Sequence, residues 1–119
     1  MAVVLFGTAR TAPASDVVEA EELIRQANEF RRRGEDQKAL PLLKQAYEAA
    51  RSPRTAAQFG LAELALGYWV EAEGHLEEAL TVGARHPFVD KNRGALESAN
   101  ARARRSALAS TGGSGRNNL

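Results

Sequence analysis

The feature that most constrains the fold of this chain is an internal repeat with a period of 33 residues. Apolar residues and glycines recur at this offset in six pairs: Leu23 and Ala56, Ala27 and Gly60, Gly34 and Gly67, Ala39 and Ala72, Leu43 and Leu76, and Ala46 and Ala79. A repeat of this length is typical of one helix–turn–helix unit, which cannot bury its apolar face alone. The sequence therefore predicts two helix pairs that stack on one another, with small residues where the helices approach closely.

Local signals divide the chain into about five antiparallel helices, which predicts an all-α fold. Apolar residues recur at helical spacing over residues 15–109, and β-branched residues never alternate as they do in a strand. Gly34 and Gly67 are expected to end the first and third helices. The predicted helix starts are a capping box at Asp16 and Glu19, an N-cap at Asp36, the pair Ser52 and Pro53, and Pro87.

Composition excludes several classes of protein. The chain has 119 residues, enough for one domain, and it has no cysteine, which excludes disulfide scaffolds, cysteine-ligated metals and cysteine nucleophiles. No apolar run approaches the roughly 18 residues that span a bilayer. Residues 84–119 carry seven basic and two acidic groups. Because no aromatic residue lies among Arg102, Arg104 and Arg105, we interpret this region as a solvated helix end and expect no nucleic-acid partner.

Both ends of the chain are predicted to lie outside the helical domain. The apolar run over residues 2–6 and the pattern Ala12-Pro13-Ala14 before Ser15 resemble the tail half of a secretory signal peptide. If Met1 is not the true start, an upstream start would complete a signal for export to the periplasm. Otherwise residues 1–14 are a tail on a cytoplasmic protein. Residues 110–119, rich in Gly, Ser and Asn, are predicted to form a flexible tail.

Around the repeated positions the chain resembles the tetratricopeptide repeat (TPR) family. The family's core of glycine, alanine, a large residue and alanine is matched by Gly34, Ala39, Leu43 and Ala46, and again by Gly67, Ala72, Leu76 and Ala79. The resemblance covers repeats at about residues 20–53 and 54–86, with residues 87–109 similar to a capping helix. Glu63 departs from the pattern, because the family places an aromatic residue there. The resemblance implies a superhelix of paired helices.

The resemblance also implies a non-catalytic module that binds a peptide or protein in a concave groove. The family's groove positions correspond here to Asn28, Arg31, Arg32, Arg54, Leu61 and Leu64, with Lys91 from the cap. Ile24 stands where the family's chaperone-tail binders keep a lysine, so their carboxylate clamp is incomplete. Arginines beside leucines suit a peptide with acidic and hydrophobic residues. The alternative interpretation of these positions is a solvated helix face.

A second hypothesis assigns the chain a structural role. Two repeats and a cap fall short of the three repeats that usually give independent stability. Apolar surface near an end of the stack would then lead to self-association as a homo-oligomer, to docking on a partner, or to contact with a further domain. The chain looks like bacterial exported TPR proteins, which often continue into a small β-rich domain that this sequence does not contain.

Catalysis is the least favoured hypothesis, and no metal or other cofactor is expected. His75 lies three or four residues from Glu71 and Glu78, which places all three on one helical face. Such a triplet could bind a metal or transfer a proton. No second cluster completes a coordination shell, so a solvated polar face is the favoured interpretation. His86, just before Pro87, is interpreted as a loop residue.

Overall fold

A computed structural model of the protein describes the backbone of residues 12–117 and the side chains of residues 12–111. Five helices follow one another: α1 (Ala14–Arg32), α2 (Asp36–Ala49), α3 (Pro53–Ala65), α4 (Trp69–Val82) and α5 (Pro87–Asn117). The short connections make consecutive helices antiparallel. No strand occurs among the described residues, which confirms the all-α fold. Within the same part of the chain, no helix is both long enough and apolar enough to cross a membrane.

The two repeated glycines end their helices in the same way. Gly34 and Gly67 have φ angles of 77° and 84°, as expected for the left-handed conformation. In the first turn, the backbone N–H of Gly34 donates to the Arg31 carbonyl at 3.0 Å and that of Glu35 to the Phe30 carbonyl at 2.9 Å. Two matching bonds, Gly67 to Leu64 and Tyr68 to Glu63, close the second turn. Both helix ends therefore form the same Schellman motif, 33 residues apart.

The predicted start of α3 is confirmed. The Ser52 hydroxyl accepts a hydrogen bond from the Thr55 backbone N–H at 3.1 Å, and the Thr55 hydroxyl accepts one from the Ser52 N–H at 2.9 Å. Pro53 occupies the first helical turn, where its missing N–H costs no hydrogen bond. The buried Thr55 hydroxyl also donates to the Ala50 carbonyl at 2.9 Å, which ties the end of α2 to the start of α3.

The other two predicted caps are wrong. Helix α1 begins at Ala14 without a side-chain cap, and the Pro13 carbonyl accepts from the Asp16 and Val17 N–H groups. Asp16 therefore lies inside the first turn, where its charge still complements the helix dipole. Helix α2 has Glu35 at its N-cap, again without a side-chain bond, because the Schellman turn places Glu35 directly before the helix. Asp36 instead pairs with Arg31.

The last helix begins at Pro87 as predicted but continues through residues 110–117, beyond the expected end at residue 109. The Thr111 hydroxyl donates to the Ala107 carbonyl at 3.1 Å, as a hydroxyl does inside a continuing helix. At the other end, residues 1–11 lie outside the described part of the chain. The export signal and the alternative cytoplasmic tail therefore both stay predictions.

Helix α3 lies between two apolar clusters that together form the core. Phe59 joins residues of α1 and α2 in the first cluster. Ala56, Ala57 and Leu64 join residues of α4 and α5 in the second. Tyr47 on α2 packs against both clusters. Because α3 also contacts α1 and α5, these three helices lie side by side, and we call their shared surface the α1–α3–α5 face.

Equivalent residues of the two helix pairs are buried in equivalent ways. The pairs Ala39 and Ala72, Leu43 and Leu76, and Ala46 and Ala79 are all 0% exposed. Gly60 is equally constrained, since a Cβ there would lie 2.9 Å from Leu76 Cγ. The described architecture is therefore that of a helical repeat, with small residues at the positions where paired helices touch.

Two glycines of the second repeat should respond in opposite ways to replacement by alanine. A Cβ on Gly83 would lie 2.6 Å from both the Ala79 carbonyl oxygen and Pro53 Cβ, whereas one on Gly74 would meet nothing within 4 Å. We expect Gly83→Ala to lower the free energy of unfolding by about 1–3 kcal/mol through overpacking. Gly74→Ala should raise it by about 0.5–1 kcal/mol, because glycine is disfavoured inside a helix.

Urea denaturation followed by circular dichroism measures both effects. No loss from Gly83→Ala would contradict the close approach of α3, α4 and α5 around residue 83, and destabilisation by Gly74→Ala would contradict the open space around residue 74.

Candidate functional site

Arg54 links the three helices of the α1–α3–α5 face. Its Nε donates to Glu21 Oε2 on α1 at 2.7 Å. Its guanidinium carbon lies 5.1 Å from the centre of the Phe88 ring on α5, within the range of a cation–π contact. Arg54 therefore has contacts on both sides that hold its planar side chain in one orientation.

The other two predicted arginines are paired within the first repeat. Arg31 donates from Nε to Asp36 Oδ1 at 2.8 Å, across the turn between α1 and α2. Arg32 pairs with Glu29 on its own helix. Each of these cations has an acidic neighbour, as Arg54 has in Glu21. What distinguishes Arg54 is its place on α3, the middle helix of the face, and its second contact with Phe88 on α5, which make it the more suitable contact for an acidic partner.

The remaining predicted residues divide into accessible and buried positions. Lys91 is exposed, and Asn28 and Leu61 are partly exposed. Leu64, at 7% exposure, belongs to the second core cluster and supports packing more than it offers a contact. Ile24 is buried as well. The structure therefore keeps Asn28, Leu61 and Lys91 accessible on the three helices of the face and takes Leu64 into the core.

A cleft of about 390 Å³ adjoins Arg54 and Glu21. Val17 and Ala20 on α1 and Ala50 after α2 contribute apolar wall, while Ser52, Thr55 and His86 add polar groups. His86 was predicted only to be a loop residue, from its place before Pro87. In the structure its Nδ1 accepts the Phe88 backbone N–H at 3.1 Å, so the neutral imidazole carries its proton on Nε2.

A second polar cluster lies around His75, partly buried between the helices. The imidazole Nδ1 donates to Glu63 Oε1 on α3 at 2.6 Å, and not to the carboxylates of its own helix that the spacing suggested. The ring stacks on Phe59 with centroids 4.4 Å apart and meets the Tyr47 ring edge-on at 5.1 Å. The hydrogen bond that His75 donates to Glu63 raises the pKa of the imidazole, and partial burial, which opposes this effect, is outweighed.

Tyr47, Glu78 and Arg51 extend this cluster across the junction of the two repeats. The Tyr47 hydroxyl donates to Glu78 Oε1 at 2.6 Å, and Arg51 donates to both Glu78 oxygens at 3.0 and 3.1 Å. Burial and the bond to Glu78 raise the pKa of the Tyr47 phenol to about 12. Partial burial favours the neutral Glu78 carboxyl, but the bonds from Arg51 and Tyr47 outweigh it and lower its pKa.

This second cluster offers little to a metal ion. Within the described part of the chain, no group of three His, Cys, Asp or Glu side chains is placed to hold one. His75 has one of its two nitrogens committed to Glu63, and both oxygens of Glu78 accept hydrogen bonds. The arrangement can hold a proton between α3 and α4, and it links α2 to α4.

Comparisons with protein-family models, curated proteins and solved structures find no match for this chain.

The hydrogen bond between Tyr47 and Glu78 should contribute measurably to stability. We expect Tyr47→Phe to lower the free energy of unfolding by about 1 kcal/mol, because a partly buried bond to a charged acceptor is lost while the ring packing stays. Tyr68→Phe is the matched control, since the Tyr68 side chain is 46% exposed. Urea titration of the two variants measures the difference, and equal losses would show that the bond across the repeats is not formed in solution.

Proposed function

We propose that the chain is a non-catalytic interaction module of the TPR type, which holds a protein or peptide partner along the α1–α3–α5 face. The observation that carries the proposal is the position of Arg54. Its guanidinium is held by α1 and α5 and borders a cleft with apolar walls. A fixed arginine beside apolar surface suits a segment that combines an acidic with a hydrophobic side chain.

The repeat architecture supports the assignment to the TPR type. The Schellman turns at Gly34 and Gly67 have matching hydrogen bonds, and the small residues of both helix pairs are buried in the same way. The face made by the first helix of each pair and the last helix is where such a stack binds its partner, as the resemblance implies. The exposed Lys91 and the partly exposed Leu61 lie on helices of this face.

The geometry of Arg54 supports the partner chemistry. A guanidinium can bind carboxylates along two edges, one with Nε and one with the two terminal nitrogens. Glu21 occupies the Nε edge. Among the described residues, the terminal nitrogens have no hydrogen-bond partner, so a carboxylate can bind there without displacing Glu21. Because Glu21 and Phe88 already orient the side chain, little conformational entropy is lost on binding.

Self-association through the ends of the stack receives less support from the terminal helices. Exposed ion pairs lie on α1 and α5: Glu22 with Arg25, and Asp90 with Arg93. The large exposed apolar side chains described for the chain are spread over three helices and one turn and include Val18, Val70 and Leu108. A solvated surface of this kind resembles the polar outer face of a capping repeat.

The proposal predicts which peptides the chain selects. We expect random dodecapeptides displayed on phage and selected on the full chain to become enriched in sequences with both acidic and aliphatic or aromatic residues. In fluorescence anisotropy with an enriched peptide, Arg54→Gln should weaken binding about tenfold, because a charge-assisted hydrogen bond is lost.

Arg25→Gln is the matched control for this measurement. Arg25 also pairs with a glutamate and lies on α1, but its partner Glu22 is on the same helix. Both variants remove one positive charge, so a loss confined to Arg54→Gln cannot come from net charge. Failure to enrich any peptide, or equal weakening by the two variants, would contradict the proposed function.

A further inference from the structure

We propose that the proton carried by His75 fastens α4 to α3 at the joint between the two helix pairs, so that this joint loosens when the imidazole loses that proton. The joint consists of Tyr47, Arg51, Glu63, His75 and Glu78. It joins α2, the turn after α2, α3 and α4, which are the elements that meet between the repeats. This inference does not depend on the proposed binding function.

Burial of Glu63 makes the joint sensitive to the charge of its partner. The residue is 4% exposed, and within residues 12–111 the only hydrogen bond to its side chain comes from His75. A buried carboxylate is costly unless it is paired with a cation and hydrogen bonded. When His75 is neutral, its Nδ1–H still donates to Glu63, but the compensating charge is gone. The unpaired charge favours any conformation that brings water to Glu63.

The groups that face His75 balance only when it is protonated. Glu63 faces it from α3, and Glu78 lies one turn further along α4. Arg51 lies at the turn, and Tyr47 contributes a neutral phenol from α2. With His75 protonated, the two carboxylates are matched by two cations. Without the proton, the cluster carries one uncompensated negative charge inside the molecule.

The direction of the pH effect follows from the raised pKa of His75. Its stabilising contribution is complete below the unfolded-state pKa of about 6.5 and is lost as the pH rises through the higher pKa of the folded state. Between these two pKa values, the unfolding equilibrium constant increases about tenfold per pH unit. Stability is therefore lost as the pH rises. A buried histidine that is neutral in the folded state would have the opposite effect and would lower stability as the pH falls.

The ring contacts transmit the change to the junction of the repeats. His75 stacks on Phe59, which belongs to the first core cluster, and it meets Tyr47, which packs against both clusters. If His75 shifts to let water reach Glu63, its stacking on Phe59 within the second helix pair and its contact with Tyr47 of the first pair are disturbed first. Helix α5 packs against α3 and α4 through residues such as Leu96, in the second core cluster. We expect its backbone amides to stay protected from hydrogen exchange.

Nuclear magnetic resonance can follow the proton directly, because the chain has only two histidines. In the His86→Gln variant the remaining imidazole signal is that of His75, and its midpoint should lie above 6.5. Adding Glu63→Gln, which keeps the shape and a hydrogen-bond acceptor but removes the charge, should lower the midpoint. A midpoint that Glu63→Gln leaves unchanged would overturn the proposal.

Hydrogen exchange separates a loosened joint from general unfolding. After correction for the intrinsic pH dependence of exchange, protection of amides around Tyr47, Phe59 and His75 should fall between pH 6 and pH 9 more than that of amides around Leu96. Glu63→Gln should remove this difference. An equal loss of protection throughout the described helices, or an unchanged loss in Glu63→Gln, would overturn the proposal.

Discussion

Close approach between paired helices is the constraint on which this structure depends. A chain of 119 residues with short helices buries enough apolar surface only if the helices touch, and they touch where the sequence has alanine or glycine. Leu43 and Leu76 then occupy the same place in each pair, with no exposed surface. The same close approach occurs at Gly83, in the turn before α5, where no side chain would fit.

Two ion pairs, Glu21 with Arg54 and Glu63 with His75, each join a carboxylate to a cation but differ in what they contribute to stability. Glu21 and Arg54 are both partly exposed, so water and salt screen their attraction, and such pairs contribute about 0–1 kcal/mol. Glu63 is almost fully buried beside His75, so loss of the imidazole charge leaves its carboxylate with a hydrogen bond but without a compensating charge. The surface pair can therefore serve recognition at little cost to the fold, whereas the internal pair cannot change its charge without affecting the packing.

The sequence predicted the repeat and its turns because a left-handed turn at a helix end accepts few residues other than glycine. Gly34 and Gly67 each mark a left-handed turn, and the 33-residue offset also relates Glu21 to Arg54, equivalent positions on neighbouring helices. The contact of His75 with Glu63 could not be predicted from the sequence, because it joins two helices and helical spacing relates only residues three or four positions apart on one helix. The one signal was that Glu63 replaces an aromatic residue of the family pattern.

Helix α3 connects the two regions that carry the proposals. Arg54 and Leu61 are seven residues apart, two helical turns, and belong to the α1–α3–α5 face. Phe59 and Glu63 are one turn apart and point toward the junction with α2 and α4. The contacts of Phe59 and Glu63 therefore hold α3 against α4, while those of Arg54 hold it against α1 and α5. The packing of this one helix thus sets both the burial of the Glu63 carboxylate and the place of Arg54 on the exposed face.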